Sequence, residues 1–118
     1  MLLKKVVVVD DDEDNRNAMT DILEFKGVTV VATAVNGSDA VEKFSKYVPD
    51  VVLMDIMMPD FDGFYGIENI KNINSNAKII AVTADQSDET KQKLRELNHK
   101  LIIYKPFDVN VLVQMIND

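Results

Sequence analysis

The stretch DVVLMDIMMPDFDG, from Asp50 to Gly63, decides how the rest of the chain is interpreted. It passes from a short, Val-rich apolar run into Asp55 and then through a Met-Met-Pro bend. Such a run is too short for a typical helix and predicts a strand buried on both faces. A carboxylate at the end of a buried strand is costly unless another group pairs with it. Asp55 is therefore a candidate functional residue, and the alternative is that it merely caps the next turn.

Composition limits the classes of protein to which the chain can belong. With 118 residues we expect one domain, spanning residues 1–118, with its own core. A net charge of -7 argues against a surface for nucleic acid or an anionic membrane. The chain has no cysteine, which excludes disulfides and thiolate chemistry, and no apolar run long enough to span a membrane. We expect a cytoplasmic protein.

Apolar runs alternate with amphipathic segments along the whole chain. The runs predict five strands, at residues 6–9, 28–34, 51–54, 78–83 and 101–104. The other segments predict five helices, at residues 15–26, 36–47, 63–73, 86–97 and 109–116. Apolar residues at core spacing in the helices include Met19, Ile22, Leu23, Ile67, Ile70 and Ile73. Because parallel strands need crossover connections, this alternation predicts an α/β fold: a doubly wound, five-stranded parallel sheet with helices on both faces.

Polar side chains follow four of the five predicted strands. They are Asp10 and Asp11, Asp55, Thr83 and Lys105. In sheets of this class, the functional site lies outside the carboxyl ends of the strands, where the winding direction switches. Three carboxylates brought together there would repel, and one would take up a proton unless a cation holds them. Oxygen ligands without His or Cys favour Mg²⁺, or Mn²⁺ in its place.

The same strand ends predict phosphoryl chemistry. Mg²⁺ in proteins commonly binds one or two carboxylates together with phosphate oxygens. Lys105 supplies a positive charge and Thr83 a hydroxyl donor, which suit the oxygens of a phosphoryl group in transfer. Asp55 can then serve as the nucleophile that accepts this group.

Five motifs together resemble the receiver domain of response regulators in two-component signalling. They are VVVVDDDEDNR at residues 6–16, NGSDAVEKF at 36–44, DVVLMDIMMPDFDG at 50–63, IIAVTA at 79–84 and KPF at 105–107. Each is weak alone, but their order and spacing are specific, and they cover nearly the whole chain. The chain is similar to the chemotaxis single-domain receiver. The resemblance implies a flavodoxin-like fold with strand order 2-1-3-4-5.

The resemblance also implies the metal ligands. Asp11 and Asp55 would bind Mg²⁺ directly, Asp10 would act largely through water, and the backbone carbonyl of Met57 would be the third direct protein ligand. Asp12, which follows the acidic pair, is expected to begin the first helix as a solvated residue.

The implied function is that of a phosphoacceptor. Asp55 would take a phosphoryl group from a sensor histidine kinase or a histidine phosphotransfer protein, while Thr83 and Lys105 would contact the phosphoryl oxygens. Phosphorylation and dephosphorylation would be self-catalysed, so the chain would be a signalling protein rather than an enzyme. The signal would pass through helix 4, strand 5 and helix 5 to an effector protein or a fused output domain.

The second half of the chain departs from the family pattern. Ile102 stands where the family usually has an aromatic residue, and Tyr104, of the same strand parity, is a candidate substitute. Asn98 replaces the usual glycine and is expected in the left-handed conformation. His99, the chain's single histidine, is expected to be an exposed loop residue. The family also implies a cis peptide bond between Lys105 and Pro106.

Two other functions stay open at this point. A haloacid-dehalogenase-like phosphatase would use Asp10 as nucleophile and Asp12 as acid and base, since the two have the D-x-D spacing after a strand. The short chain and the loop after Asp55 fit a receiver better. A pseudo-receiver would act without phosphorylation, although all the active-site side chains are present.

Overall fold

Ten secondary-structure elements alternate along the chain in the computed structural model, which describes residues 3–118. The strands are β1 (Lys5–Val9), β2 (Thr29–Ala34), β3 (Val51–Asp55), β4 (Ile79–Thr83) and β5 (Ile102–Tyr104). The helices are α1 (Glu13–Phe25), α2 (Gly37–Tyr47), α3 (Gly63–Ile73), α4 (Asp88–Glu96) and α5 (Val109–Asn117). The ends of these elements lie within one or two residues of their predicted positions.

The five strands form one parallel sheet in the order β2-β1-β3-β4-β5. The predicted architecture and strand order are therefore confirmed. From β1 the chain first moves outward to β2 and then returns past β1 to β3, β4 and β5. The winding direction therefore switches between β1 and β3, and a crevice is expected outside the carboxyl ends of these two strands.

The core has two layers, one on each face of the sheet. Successive strand residues point to opposite faces, so Val7 and Val9 of β1 enter one layer while Val6 and Val8 enter the other. The first layer also contains buried residues of α2, α3 and α4, namely Ala40, Phe44, Ile67, Ile70 and Leu94. The second contains buried residues of α1 and α5, namely Leu23, Leu112 and Ile116. Burial on both faces explains why the strands are continuous apolar runs.

Each helix begins at a residue whose side chain accepts a hydrogen bond from the backbone of the first turn. These residues are Asp12, Asn36, Asp62, Ser87 and Asp108. Such side chains satisfy backbone N–H groups that have no partner inside the helix, and each is worth about 1 kcal/mol. The prediction that Asp12 begins the first helix is confirmed. Asp62 has the corresponding role at the start of α3.

Two predicted core residues lie instead at the surface. Ile22 is 41% exposed and Ile73 is 54% exposed. Leu23 and Ile70, which follow the same helical pattern, are fully buried. Ile22 and Ile73 lie at the margins of the apolar faces of α1 and α3. No helix of residues 3–118 has the combination of length and apolar character needed to cross a membrane.

This difference within α1 predicts unequal effects of two neighbouring substitutions. Leu23→Ala should lower the free energy of unfolding by about 2–5 kcal/mol, because it leaves a cavity among fully buried side chains. Ile22→Ala should lower it by less than about 1 kcal/mol, because the residue is already 41% exposed and its loss leaves no enclosed cavity. Urea unfolding followed by circular dichroism measures both values. Equal losses for the two variants would contradict the burial described for α1.

Candidate functional site

The functional side chains lie at the carboxyl edge of the sheet, where their strands end. In the pairing of β1 with β3, Val9 lies opposite Met54, so the next residues, Asp10 just after β1 and Asp55 at the end of β3, lie at the same level. Thr83 ends β4, and Lys105 follows β5. The parallel register thus brings to one edge residues that lie far apart in the sequence.

Three carboxylates form a cluster at this edge. Asp10, Asp11 and Asp55 each offer one oxygen, and these oxygens all lie within 4.8 Å of one another. Asp10 is 8% exposed, Asp55 is largely buried, and Asp11 is open to solvent. Oxygen donors without sulfur or imidazole suit a hard divalent cation such as Mg²⁺ or Mn²⁺, and an exposed member leaves the cation access to water. The donor set therefore fits the predicted metal.

Lys105 is the cation that this edge of the sheet itself provides. Its Nζ lies 3.8 Å from Asp10 Oδ2 and 3.7 Å from Asp55 Oδ2. Both distances are longer than a direct hydrogen bond, so the ammonium is shared between the two carboxylates. One positive charge facing three negative ones leaves the cluster with an excess of negative charge.

The surroundings of Asp55 make it a weaker acid than an ordinary aspartate. Burial raises the pKa of Asp55 from its ordinary 3.8 to about 6; the charge of Lys105 opposes this rise, and the charges of Asp10 and Asp11 add to it. The backbone N–H of Met57 also favours the ionised carboxylate. Asp55 is therefore ionised at neutral pH, but at a cost that a bound cation would remove.

Asp10 is held in place by the start of α1. The backbone N–H of Asp12 donates to Asp10 Oδ1 at 2.9 Å, and Arg16 Nη1 donates to the Asp10 carbonyl at 2.8 Å. The Asp12 carboxylate itself accepts from the N–H groups of Asp14 and Asn15. Asp12 therefore serves the helix rather than the cluster, which counts against a phosphatase that uses Asp12 as its acid and base.

The loop after β3 is closed tightly behind Asp55. The N–H of Gly63 donates to the carbonyl of Ile56 at 2.9 Å. A Cβ atom at Gly63 would clash with the backbone of Asp55 and Ile56, so no other residue fits there without a shift. Asp60 in the same loop has a φ of 67°, in the left-handed region that Asp and Asn tolerate better than most residues. Glycine in this motif thus fixes the backbone that carries Asp55.

Thr83 lies at the same edge, and its hydroxyl is hydrogen-bonded to the loop that follows β4. Its side chain is buried, and its Oγ1 accepts a hydrogen bond from the backbone N–H of Asp85 at 3.0 Å. The Asp85 carboxylate in turn accepts from the Thr90 hydroxyl at 2.7 Å and from the Ser87 N–H at 2.9 Å. These bonds lower the pKa of Asp85. A hydrogen-bonded chain therefore links Thr83 to the first turn of α4.

An apolar cleft, not predicted from the sequence, opens beside the cluster. It has a volume of about 490 Å³ and reaches from Asp10 and Asp55 between α1 and the residues after β5. Met19 and Ile22 of α1 form one wall, and Phe107 lies on the other. The exposed position of Ile22 follows from this cleft. In the sequence, the apolar residues Met19, Ile22 and Leu23 span a wider face of α1 than the core requires. This extra width is the signal from which the cleft could have been inferred.

The departures from the family pattern have mixed outcomes. The Lys105–Pro106 bond is cis and Asn98 has a φ of 56°, so both predictions are confirmed. The prediction for His99 is wrong, because this residue is only 5% exposed. Tyr104 lies directly opposite Thr83 in the pairing of β5 with β4. Adjacent positions in parallel strands point to the same face, so the tyrosine is beside the threonine.

Comparisons with known proteins agree with this geometry. A model of the response regulator receiver domain matches residues 6–117. The chemotaxis protein CheY of Bacillus subtilis is 37% identical, over 96% of this chain and 94% of that protein. CheY of Thermotoga maritima is also 37% identical, over 97% of this chain and 95% of that protein. A chain in the CheX–CheY–BeF3–Mg²⁺ complex from Borrelia burgdorferi is 29% identical, with a TM-score of 0.85 over 96% of this chain and 86% of that chain.

The raised pKa of Asp55 predicts that Asp55→Asn stabilises the metal-free protein. The folded protein binds this proton more tightly than the unfolded chain, so stability falls as the pH rises from about 4 through 6. At pH 7.5 the variant should be more stable by about 1–3 kcal/mol, and the difference should vanish below pH 4. Urea unfolding in EDTA between pH 4 and 8 measures it.

Asp60→Asn is the matched control, because it makes the same change in the loop that follows Asp55, outside the cluster. This variant should lack the gain in stability that Asp55→Asn shows at pH 7.5. Mg²⁺ should stabilise the native protein more than Asp55→Asn. A metal-free Asp55→Asn variant that is no more stable than the native protein at pH 7.5 would contradict the electrostatic description.

Proposed function

The chain belongs to the response regulator receiver family, and from this premise we propose that it accepts a phosphoryl group on Asp55 in a two-component phosphorelay. The donor is a phosphohistidine on a sensor histidine kinase or a histidine phosphotransfer protein. The observation that carries the proposal is the partly buried Asp55 carboxylate, 3.7 Å from Lys105 and clustered with two further aspartates. The receiver domain occupies residues 1–118 as one unit.

Asp55 is the nucleophile of this reaction. An oxygen of its ionised carboxylate attacks the phosphorus of the donor, and the new O–P bond forms as the P–N bond breaks. The imidazole nitrogen leaves with the bonding electron pair, and the histidine stays on the partner without its phosphoryl group. Hydrolysis of the resulting acyl phosphate later ends the signal.

The residues around Asp55 hold the phosphoryl group rather than react with it. Lys105, shared between Asp10 and Asp55 before the reaction, can turn its ammonium to a phosphoryl oxygen as charge moves there. Thr83 can donate its hydroxyl to another oxygen. Thr83 ends β4, which is paired with β3, and Lys105 follows β5, one strand further out, so both can reach the acceptor without a change in the sheet.

The cluster would hold Mg²⁺, or Mn²⁺ in its place, through the carboxylates of Asp10, Asp11 and Asp55 and the backbone carbonyl of Met57. The bound cation would neutralise negative charge on the carboxylates and on the phosphoryl oxygens. The likeness to a chain of a complex that contains beryllofluoride and Mg²⁺ supports this assignment. Asp10 is bound by the Asp12 N–H through one oxygen, so it keeps the other for the cation or its water.

Phosphorylation would be signalled through α4, β5 and α5. When the Thr83 hydroxyl turns toward the phosphoryl group, the N–H of Asp85 loses its acceptor. Asp85 also binds Ser87, which begins α4, and the buried Thr90 within α4. A movement of this loop is therefore passed directly to the helix, and the shifted population presents a changed face to an effector protein or a fused output domain.

Intact mass after incubation with Mg²⁺ and acetyl phosphate tests the proposed acceptor. The native chain should gain one phosphoryl group, and Asp55→Asn should gain none, because an amide is not a nucleophile of this kind. Asp60→Asn, the matched loop control, should be phosphorylated like the native chain. Removal of the divalent cation by EDTA should abolish the gain.

Each contrary result identifies a different alternative. If neither phosphoryl transfer nor beryllofluoride binding occurs, the chain is a pseudo-receiver that acts without phosphorylation. If the adduct survives in Asp55→Asn and disappears in Asp10→Asn, the chain uses Asp10 as a phosphatase-like nucleophile. Either result would overturn the assignment of Asp55.

The position of Tyr104 predicts that it moves together with Thr83. On addition of beryllofluoride and Mg²⁺, the ring signals of Tyr104 should shift in NMR spectra, and this shift should be lost in Thr83→Ala. The methyl signals of Ile102, which lies opposite Ala81, serve as the comparison. If Ile102 shifts and Tyr104 does not, Tyr104 is an ordinary strand residue.

A further inference from the structure

A buried threonine of α4 carries a hydroxyl that the packing of the core does not require. Thr90 lies in the first turn of this helix and is 4% exposed, and Leu94, one turn further along, is also buried. The position faces the core, where helical spacing favours an apolar side chain. A valine would fill nearly the same volume, so the hydroxyl of Thr90 has to be explained by what it binds.

The hydroxyl of Thr90 is committed to Asp85. Its Oγ1 donates to Asp85 Oδ2 at 2.7 Å, the distance of a strong hydrogen bond from a hydroxyl to an ionised carboxylate. The backbone N–H of Thr90 is bound elsewhere, because it donates to Ser87 Oγ at 3.2 Å. The side chain of Thr90 therefore fastens the loop that precedes α4, in addition to its place in the helix.

The Asp85 carboxylate is held at both of its oxygens. The backbone N–H of Ser87 donates to Oδ1 at 2.9 Å, and the Thr90 hydroxyl donates to Oδ2. The Ser87 N–H and then the Thr90 hydroxyl lower the pKa of Asp85, so this carboxyl is ionised at neutral pH. Two donors on two oxygens restrict the rotation of the carboxylate and, with it, the direction of the backbone N–H of Asp85.

That backbone N–H is the group that binds Thr83. It donates to Thr83 Oγ1 at 3.0 Å. The residues on either side of Asp85 are exposed, so the bond to the buried Thr90 is what anchors this part of the loop. If the Thr83 hydroxyl turns away, the Asp85 N–H loses its acceptor unless the loop follows. The loop can follow only if the bond to Thr90 breaks or α4 moves with it.

We propose that Thr90 is a positioning residue: its hydroxyl, acting through Asp85, holds Thr83 in the unphosphorylated arrangement and thereby opposes phosphorylation of Asp55. The inference rests on the proposed function of Asp55 and adds a restraint located in α4. A bond that is stronger in the unphosphorylated state weakens binding of a phosphoryl group, and by linkage that group weakens the bond by the same factor. Removing the Thr90 hydroxyl therefore favours the phosphorylated arrangement.

Three variants separate the hydrogen bond from the packing. Thr90→Val removes the hydroxyl and nearly keeps the shape of the side chain, whereas Thr90→Ser keeps the hydroxyl and removes the methyl group. Thr20→Val is the matched control, because it makes the same change in α1, at a buried hydroxyl oxygen with no hydrogen-bond partner among residues 3–118.

The rotamer of Thr83 in the metal-free protein is measured first, because it does not depend on phosphorylation. Three-bond NMR couplings to the methyl carbon of Thr83 report its χ1 angle. We expect one rotamer in the native protein, in Thr90→Ser and in Thr20→Val, and averaging between rotamers in Thr90→Val. A single rotamer in Thr90→Val would overturn the proposal, and so would averaging in Thr90→Ser or in the native protein.

Binding of beryllofluoride in the presence of Mg²⁺ then measures the effect on the phosphorylated arrangement. Thr90→Val should bind about fivefold more tightly than the native protein, whereas Thr90→Ser and Thr20→Val should bind like it. If the native protein binds and Thr90→Val binds equally or more weakly, the inference is wrong and the proposed function stands. If the native protein does not bind, the proposed function fails, and the Thr83 rotamer still decides whether Thr90 positions it.

Discussion

The repulsion among Asp10, Asp11 and Asp55 is the constraint on which the rest of the structure depends. Their oxygens lie within 4.8 Å of one another, and Lys105 offsets only part of the charge. Burial first, and then the charges of Asp10 and Asp11 against the opposing charge of Lys105, raise the pKa of Asp55, so keeping this carboxylate ionised costs the folded protein free energy. The cost is tolerated because the sheet and its two apolar layers hold the strand ends in place. Because the carboxylates carry an excess of negative charge, the site is stabilised when a cation binds, and the cation would in turn favour a phosphoryl group.

The surrounding backbone is built to keep these carboxylates from moving apart. Asp10 is tied to the start of α1 by the N–H of Asp12 and by Arg16. Asp55 ends a strand that is paired on both sides, and the loop behind it is closed at Gly63. The aspartates near the cluster therefore fall into two groups, those that form the cluster and those that stabilise the backbone around it. Asp12 and Asp62 both belong to the second group, since their carboxylates serve helix starts.

The two ends of the sheet have opposite electrostatic character. The carboxyl edge is acidic and includes Thr83, which is connected through Asp85 to α4. The other edge is basic, because three lysines lie there, and includes His99, whose backbone is bound to the last turn of α4 at Leu94. Both ends of α4 are thus hydrogen-bonded to residues that lie towards opposite edges of the sheet.

The sequence by itself determined the element order, the sheet class and the set of residues at the carboxyl edge. Apolar runs and helical spacing are local signals, and a parallel sheet necessarily gathers the ends of its strands, so Asp10, Asp55, Thr83 and Lys105 could be grouped before any contact was known. The strand order and the cis Lys105–Pro106 bond came from the family resemblance.

Only the tertiary structure decided how deeply individual residues are buried. The exposure of Ile22 and Ile73, the burial of His99, the pairing of Tyr104 with Thr83 and the pKa of Asp55 all depend on neighbours contributed by distant segments. Helical spacing identifies an apolar face but not its width, because the width depends on what packs against it. For the same reason, a lone histidine in a polar loop carries no local signal that three other segments will enclose it.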